Sequence, residues 1–407
     1  MELHIKPSKL SLGIFSLIFI VLLSSGLAVA QNTDNYIMNL SVNGNDFRFA
    51  NHNESKTEGN WISLGGGEPV QLPTPIKFTY HGVNETSFST DSKNVDIKLN
   101  VKNYTDYVIE YPFETHQMYT NTSGKNNVTY QFNGSKYFAN KESKVVLIES
   151  DINSLIDILD KFKQGQIDSI NDILSLDKVN SIETKDLDDN GDTNGEFENL
   201  DAGEYSVLII LNNEPVILSA TAFDVLDYDS NVSTNSYITV GNNLKVDIEL
   251  EDAPDTEYTY IAGIVKDNKY RADVRLETNG HKTGTDLLVN NEYIIDDFDL
   301  IDMSVSNLNK NDVKNKLVDV LGPDELSGKT MTVDSNQTSL NISTEGLPPG
   351  NYKLLVQASN QNDPIVAFEQ KDITIKSEGI GAPATNPILM IGVLGIAIVL
   401  FMKRRFN

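Results

Sequence analysis

Short segments of alternating or wholly apolar residues, separated by Gly, Asn and Pro, recur along most of this chain and constrain its fold more than any other feature. They include residues 77–80, 95–99, 145–148 and 205–211. Alternation with a period of two puts one set of side chains on a buried face and the other set in solvent. The sequence therefore predicts a mainly β protein built from tandem β-sandwich modules of the immunoglobulin-like or transthyretin-like kind.

Two stretches depart from this pattern because their apolar residues recur at helical spacing. One lies near 151–176 and follows Asp151, a favourable N-cap residue. The other lies near 311–321 and is stopped by Gly322 and Pro323. We expect each stretch to be a short helical insertion in a β-rich module.

An internal repeat without gaps indicates how the chain is divided. Residues 200–209 (LDAGEYSVLI) match residues 347–356 (LPPGNYKLLV). Two related modules are therefore expected rather than one large domain. In each copy the Gly is expected in a turn, and Tyr205 or Tyr352 is expected to bury its ring and hydrogen-bond its hydroxyl, which is a structural role.

The expected module boundaries follow from composition. Module 1 is predicted over 31–250 and module 2 over 256–376, with the acidic stretch 251–255 as a linker between them. The Gly- and Pro-containing stretch 377–386 is predicted to be a second linker, which separates module 2 from the C-terminal segment.

The first thirty residues have the three regions of a secretory signal peptide. Lys6 and Lys9 precede an apolar run over 10–23, and Ala28 and Ala30 form a small-residue cleavage site. We expect cleavage after Ala30, so that the mature chain begins at residue 31. An uncleaved anchor helix is the alternative.

A second apolar segment over 387–402 is followed by the basic tail 403–407. As a helix, the uncharged residues 388–402 would cover about 22 Å of a hydrocarbon core of about 30 Å. The segment is therefore predicted to be a short transmembrane helix, or a sorting signal that is held only briefly in the bilayer. The basic tail places the C-terminus in the cytoplasm and both modules outside the cell.

The net charge and the cysteine content restrict which partners the chain can bind and how its modules can be stabilised. A net charge of −26 repels nucleic acid, favours cations and keeps a crowded surface soluble. The chain has no cysteine although an exported compartment would permit disulfides, so its modules need sizeable hydrophobic cores or a bound metal.

Ten N-x-S/T sequons indicate a glycoprotein. The candidate positions are Asn39, Asn53, Asn84, Asn103, Asn121, Asn127, Asn133, Asn231, Asn336 and Asn341.

One polar cluster has part of the pattern of a calcium loop, and calcium is the only cofactor that the sequence suggests. The candidate ligands are Asp186, Asp188, Asn190, Asp192 and Asn194. The first, third and fifth positions of an EF-hand-like loop are filled, but the twelfth is Phe197 rather than an acid. The alternative is a turn rich in Asx and Gly, in which the carboxylates accept hydrogen bonds from backbone amides.

Nothing in the sequence favours catalysis. The histidines beyond the signal segment are His52, His81, His116 and His281. They do not pair at metal-ligand spacing, and the motifs of serine, cysteine and zinc hydrolases and of phosphate-binding loops are missing from the sequence. The abundant carboxylates leave a glycan-acting enzyme as a minor alternative. Trp61 is the only tryptophan, and we expect it in a core.

Several motifs, spread over nearly the whole region between the two ends, resemble those of the methanogen extracellular proteins, secreted surface proteins of methanogenic archaea. They are GNWIS at 59–63, LPTPI at 72–76, FNGS at 132–135, FANK at 138–141, NGD at 190–192, LDAGEY at 200–205, LSATAF at 218–223, YTY at 258–260 and LPPGNY at 347–352. The resemblance implies an exported archaeal surface protein, and it supplies neither an activity nor catalytic residues. It also favours the turn over a calcium site, because NGD belongs to the shared pattern without the full set of loop acids.

The C-terminus resembles the sorting signals that archaeal sortase-like enzymes process. The resemblance rests on Pro383, Pro387, the apolar segment and the basic residues Lys403, Arg404 and Arg405. Ala382 stands where such signals usually have a larger hydrophobic residue. A permanent membrane anchor is the alternative to processing.

Together these features predict a non-catalytic archaeal cell-surface glycoprotein that is part of, or attached to, the surface layer. Its expected partners are the cytoplasmic membrane, reached through the C-terminal helix, and neighbouring surface-layer proteins. The alternative is an adhesin that recognises carbohydrate or a neighbouring cell.

Overall fold

The computed structural model describes residues 35–377 except 43, 53–54, 82–84, 91–94, 102–105, 123–125, 150–160, 162–165, 167–168, 272, 279–284, 300–303, 306–324 and 362–364. The predicted signal peptide, the helix near 311–321 and the C-terminal segment with its sorting-signal residues lie outside the described residues. Within the described part, no helix is long and apolar enough to cross a membrane.

The described chain is mainly β, and a first β-sandwich is formed by its N-terminal half. Its larger sheet has the order β12 (Val179–Asp186), β11 (Glu142–Glu149), β14 (Gly203–Leu211), β15 (Val216–Leu226), β2 (Asn45–Ala50), β1 (Tyr36–Val42), β7 (Val95–Val101) and β6 (Glu85–Thr90). Off this path, β9 (Thr115–Thr120) pairs with β15 and with β4 (Glu68–Gln71). The smaller sheet has the order β13 (Thr193–Phe197), β10 (Val128–Asn133) and β3 (Trp61–Gly65).

A second β-sandwich is formed by the C-terminal half. Its larger sheet has the order β17 (Tyr237–Thr239), β27 (Ala367–Lys376), β26 (Gly350–Ser359), β19 (Glu257–Lys266) and β24 (Leu326–Asp334). Its smaller sheet has the order β16 (Ser230–Thr234), β18 (Asn243–Leu250) and β25 (Gln337–Ser343).

The two sandwiches repeat one topology. Taken in chain order, β3 and β9 to β15 occupy the same positions as β16 to β19 and β24 to β27. Even the parallel edge pairings correspond, because β9 pairs with β15 as β17 pairs with β27. The internal sequence repeat, which falls on β14 and β26, therefore marks a repeat of eight strands.

The strand pairing places the start of the second sandwich earlier than the predicted boundary. Residues 230–250 were expected in module 1, but β16 and β18 lie in one sheet with β25, and β17 pairs with β27. The acidic stretch 251–255 is not a linker between sandwiches but a turn between β18 and β19, where Asp252 has φ of 55°. The partners of β18 and β17, namely β25 and β27, come far later in the chain, which local composition does not reveal.

Each sandwich carries an insertion at the same point of the topology. Between β11 and β12, α1 (Ile170–Leu174) lies within the predicted helical stretch, and Ser169 and Asp172 form its capping box. Between β19 and β24, the chain forms α2 (Asp267–Tyr270), β20 (Val274–Thr278), β21 (Thr285–Val289), β22 (Glu292–Asp299) and β23 (Ser304–Val305).

A third sheet joins the two halves of the chain. Its order is β23, β22, β21, β20, β5 (Ile76–His81) and β8 (Asp106–Glu110), with β20 from the second half parallel to β5 from the first. Nearby, the Gln71 N–H donates to the side-chain oxygen of Gln370 at 2.8 Å. The Gln370 amide in turn contacts the Tyr270 hydroxyl at 3.1 Å. Main-chain pairing and side-chain hydrogen bonds therefore hold the halves together.

The repeated tyrosines have the predicted structural role. The hydroxyls of Tyr205 and Tyr352 donate to the carbonyls of Asp201 (3.0 Å) and Pro348 (2.6 Å), in each case four residues upstream. Both rings are buried in the cores of their sandwiches. This is the geometry of a tyrosine corner, which ties a strand to the loop before it.

Candidate functional site

The predicted calcium loop is a hydrogen-bonded turn between β12 and β13. Oδ1 of Asp188 accepts hydrogen bonds from the N–H groups of Asn190 (2.8 Å) and Asp192 (2.9 Å). Oδ1 of Asp192 accepts one from the N–H of Gly134 at 2.8 Å. Gly191 has φ of 92°, which a residue with a Cβ rarely adopts. The carboxylates therefore satisfy backbone donors, as an Asx turn does.

Backbone N–H groups stabilise the negative charge of Asp188 in this turn. The N–H of Asp192, then that of Asn190, lower the pKa of the Asp188 carboxyl. Burial raises the pKa of Asp192, while the Gly134 N–H opposes that shift. The turn packs closely, since a Cβ on Gly134 would lie 2.1 Å from the carbonyl oxygen of Gly191.

Two of the five candidate calcium ligands lie on the strands that flank the turn. Asp186 lies at the end of β12, where it pairs with Glu142, and Asn194 lies on β13, where it pairs with Gln131. Among the described residues, no group of three or more His, Cys, Asp or Glu side chains is arranged to hold a metal ion. The geometry therefore matches the turn, which was the alternative to the calcium site.

The structure separates the sequon asparagines into two groups. Exposed side chains are found at Asn121, Asn127, Asn231 and Asn341. Asn39, Asn133 and Asn336 are only half-exposed, and the remaining candidates, Asn53, Asn84 and Asn103, lie outside the described residues.

Hydrogen bonds engage the side-chain nitrogen, the atom that a glycan would modify, at two of the half-exposed positions. The Asn336 nitrogen donates to the Ala253 carbonyl at 3.0 Å, and the Asn133 nitrogen donates to the Lys56 carbonyl at 2.9 Å. A glycan there would compete with these bonds.

Two of the exposed sequons share one polar face. Asn231 on β16 pairs with Glu249 of β18, and Asn341 on β25 pairs with Lys245 of the same strand. Along β18, buried and more exposed residues alternate. The outer face of this sheet is therefore polar, and it presents an asparagine from each of its two outer strands.

A polar cleft of about 730 Å³ lies in the first sandwich, beside the turn described above. It is bounded by β3, β10 and β13 of the smaller sheet and by β12 of the larger one. Its lining residues are Ser63, Leu64, Gly65, Thr129, Tyr130, Gln131, Glu183, Lys185, Asn194, Gly195 and Glu196.

Tyr130 is the unusual member of this lining. The residue is only 2% exposed, and its ring stacks on Phe197 with centroids 5.2 Å apart. Burial, then the charge of Glu183 and a hydrogen bond with its side chain, raise the pKa of this hydroxyl, so it stays protonated. The hydroxyl lies over Gly195, where a Cβ would come within 2.5 Å of its oxygen.

No motif of the sequence predicts this cleft. Asn194 is the one residue shared with the predicted calcium set, while Tyr130 and Glu183 were not singled out. Two sequence features gave weak indications of it. One is a tyrosine at an inward position of a strand, and the other is a glycine within a strand, which often marks a place where another group approaches the backbone closely.

Comparisons with known proteins do not place the chain in a family. No family model matches it, and no curated protein matches it. Among solved structures, it is similar to red sea bream transglutaminase with 8% sequence identity and a TM-score of 0.23. That match covers 62% of this chain and 29% of the transglutaminase chain, so this chain spans under a third of that structure. A likeness at this level carries no conclusion about activity.

Proposed function

We propose that this chain is a non-catalytic archaeal cell-surface glycoprotein. It is exported by its N-terminal signal and tethered to the cytoplasmic membrane by the segment 387–402. Its two sandwiches display an acidic, glycosylated surface as part of, or attached to, the surface layer. The N-terminal and C-terminal segments enter this proposal through their sequence alone.

The observation that carries the proposal is the polar face of the sheet formed by β16, β18 and β25. It holds Asn231 and Asn341 on opposite outer strands, with charged residues of β18 between them. Polar side chains throughout one face mean that this face is solvated rather than covered by another layer of the same chain. Glycans attached to both strands would extend into solvent and would shield the edges of the sheet.

The joining sheet supports a structural role. Five residue pairs link β5 to β20, and Gln71 and Gln370 bond across the same junction. Two sandwiches connected in this way are restrained against hinge motion, because bending would break main-chain hydrogen bonds. Such restraint suits a protein that keeps a fixed spacing in a surface lattice.

The experiment is site-resolved mass spectrometry of the full-length protein purified from native membranes in detergent. We expect glycans at Asn231 and Asn341, and none at Asn336. Substitution of each asparagine by Gln provides matched controls for the mass assignment. A chain recovered from the cytosol with Met1 retained and all asparagines unmodified would refute the proposal.

Processing of the C-terminus is measured on the same sample. A permanent anchor gives an intact mass that includes residues 387–407, whereas a sorting signal gives a chain that ends near Pro383 or Pro387. Either result agrees with a membrane-tethered surface protein. A protein that retained both ends and did not partition with membranes would contradict the tether.

A further inference from the structure

The second sandwich exposes an aromatic ring and a cation side by side at the end where β27 finishes. Tyr237 on β17 is 60% exposed, the highest value for a large hydrophobic side chain among the described residues. Lys376, the last residue of β27, is also exposed, and its Nζ lies 3.9 Å from the centre of the Tyr237 ring. The Val240 N–H donates to the Lys376 carbonyl at 2.9 Å, so the turn after β17 closes against the end of β27. We call Tyr237, Lys376 and the turn residues 240–242 the terminal surface.

The first sandwich provides an internal comparison, because its strands β9 and β15 are equivalent to β17 and β27. Aligned by their parallel pairing, Met118 corresponds to Tyr237. Leu226 corresponds to Lys376. Leu226 is 6% exposed and Met118 is half-buried. This end of the first sandwich is followed by the second sandwich, whereas the same end of the second is followed by the predicted linker 377–386. The equivalent end is therefore covered where protein follows it, and it exposes a ring and a cation where the linker follows it.

The length of the linker limits what can lie next to the terminal surface. Ten residues separate Lys376 from the segment 387–402, and ten residues reach at most about 35 Å. A flexible linker of this length has an average end-to-end distance of about 18 Å. With the tether of the proposed function, on which this inference rests, the segment 387–402 lies in the membrane. The headgroup region of the bilayer is then close to Tyr237 and Lys376.

The chemistry of the terminal surface suits this headgroup region. Tyrosine is enriched there, because its ring is apolar and its hydroxyl is polar. A lysine near the surface is attracted by anionic headgroups, and its long stem can contact apolar groups while its charge stays in water. Because Tyr237 and Lys376 are adjacent and exposed, both can enter the headgroup region without a change in the fold.

The charges of the second sandwich are distributed unevenly between its two ends. The far end, residues 248–257 and 333–336, has no lysine or arginine, and its six acids are Glu249, Glu251, Asp252, Asp255, Glu257 and Asp334. Near the terminal surface, lysines and acids form ion pairs, namely Lys245–Asp247, Lys266–Glu325 and Lys353–Asp372. Lys376 and Glu345 are further charges at this end, which is therefore close to neutral.

The distance between the two ends makes this difference effective. The ten-residue strand β26 runs from one end to the other and covers about 33 Å. That is several times the screening length of about 8 Å at physiological salt. An anionic surface at the terminal surface therefore interacts little with the distant acids, and it repels the far end whenever that end approaches. Although the whole chain is acidic, an anionic membrane favours the orientation in which the terminal surface faces it.

We propose that the terminal surface docks on anionic lipid headgroups of the membrane that holds the C-terminal segment. The Tyr237 ring lies among the headgroups, Lys376 pairs with an anionic headgroup, and the acidic far end points away from the membrane. This contact fixes the orientation of the second sandwich relative to the membrane, which a linker alone leaves free.

The test uses the full-length protein reconstituted into vesicles of phosphatidylcholine, with or without an equal amount of phosphatidylglycerol. The chain has no cysteine, so one introduced cysteine can carry a fluorophore. Asn242→Cys places it in the terminal surface and Thr256→Cys places it at the far end, and both positions are exposed. We expect a nitroxide on the lipid headgroups to quench the Asn242→Cys label when phosphatidylglycerol is present, and not the Thr256→Cys label. High salt should reduce the quenching.

Lys376→Gln is compared with Lys371→Gln as a matched control, each in the Asn242→Cys chain. Lys371 lies on the same strand, five residues nearer the far end, which places it about 16 Å from Lys376. We expect Lys376→Gln to lower the ratio of docked to undocked molecules about fivefold, the effect of one lysine at an anionic surface. Lys371→Gln should leave the ratio unchanged. Tyr237→Ser should also lower it, with a melting temperature close to that of the native chain because the ring is largely exposed.

The outcomes separate the docking from the tether. Protein that does not float with the vesicles refutes the tether of the proposed function and the docking with it. Protein that floats, but whose Asn242→Cys label is quenched no more than the Thr256→Cys label, overturns the docking alone. Equal effects of Lys376→Gln and Lys371→Gln overturn it as well. Quenching that is equally strong without phosphatidylglycerol overturns the assignment of anionic headgroups as the partner.

Discussion

Acidification should destabilise the first sandwich through a single buried histidine. His52 is 1% exposed, its Nδ1 lies 3.2 Å from the Ala50 carbonyl, and its ring packs edge-on against Trp61 at 4.5 Å. Its Nε2 lies 3.4 Å from the hydroxyl of Ser219. The carbonyl contact requires a proton on Nδ1, so the neutral ring donates there and accepts from Ser219. A second proton would put a charge into this apolar site.

The size of the stability loss on acidification follows from the difference in the pKa of His52 between the folded and unfolded chains. Burial lowers the pKa of His52 from 6.5 to about 4, and the Ala50 carbonyl offsets part of the shift. The folded state therefore binds fewer protons than the unfolded state between these values. Stability is fully present above pH 6.5 and falls as the pH decreases towards 4. The loss is about 2 kcal/mol at pH 5 and approaches about 3 kcal/mol below the folded pKa.

The assay is urea unfolding of the full-length chain at about pH 7.5 and pH 5, for the native protein and for His52→Gln. Trp61 is the only tryptophan and contacts His52 directly, so its fluorescence reports on this sandwich. Glutamine does not titrate, and the other ionisable groups are the same in both chains. We expect the native protein to lose about 2 kcal/mol more than the variant on acidification. Equal losses in both proteins would refute the assignment of His52 as a buried neutral group.

Three further predictions concern the turns and corners. Tyr352→Phe should lower the free energy of unfolding by about 1 kcal/mol through loss of the hydroxyl bond to Pro348, whereas an unchanged urea midpoint would contradict the corner. Asp188→Ala should lower the melting temperature, because it removes the acceptor of two backbone N–H groups, and the native melting temperature should be the same with and without chelator. A melting temperature that rises when calcium is added would instead indicate a metal site in this loop. Gly134→Ala should lower the free energy of unfolding, measured by calorimetry, by about 1–3 kcal/mol, because its Cβ would overlap the Gly191 carbonyl. A variant as stable as the native chain would contradict this close packing.

The strand content was predictable because alternation is a local property. The segments 77–80, 95–99, 145–148 and 205–211 all lie within observed strands. The repeat at 200–209 and 347–356 was visible for the same reason, and the buried tyrosines of both copies confirm the structural role that was expected of them. The helical stretch near 151–176 is supported by α1, which the capping pair Ser169 and Asp172 initiates.

The site was less predictable because its properties depend on neighbours that are distant in the sequence. The Asp-rich loop has ligand-type residues at suitable spacing, and only the structure shows that the N–H groups of Gly134, Asn190 and Asp192 donate to two of its carboxylates. All sequons are identical as motifs, yet the Asn336 amide is engaged by the turn at Ala253 and the Asn341 amide is exposed. Tyr130 is an ordinary strand residue until Gly195 is placed opposite it.

The sequence by itself determined that the chain forms strands, that a module is repeated and that the repeated tyrosines are structural, because these properties depend on spacing over a few residues. The tertiary structure alone decided that the second sandwich begins at Ser230, that β5 pairs with β20, and that a polar cleft surrounds Tyr130. A strand's alternation specifies which of its faces is buried but not which strand lies beside it. That choice is made by packing between residues that are far apart in the chain.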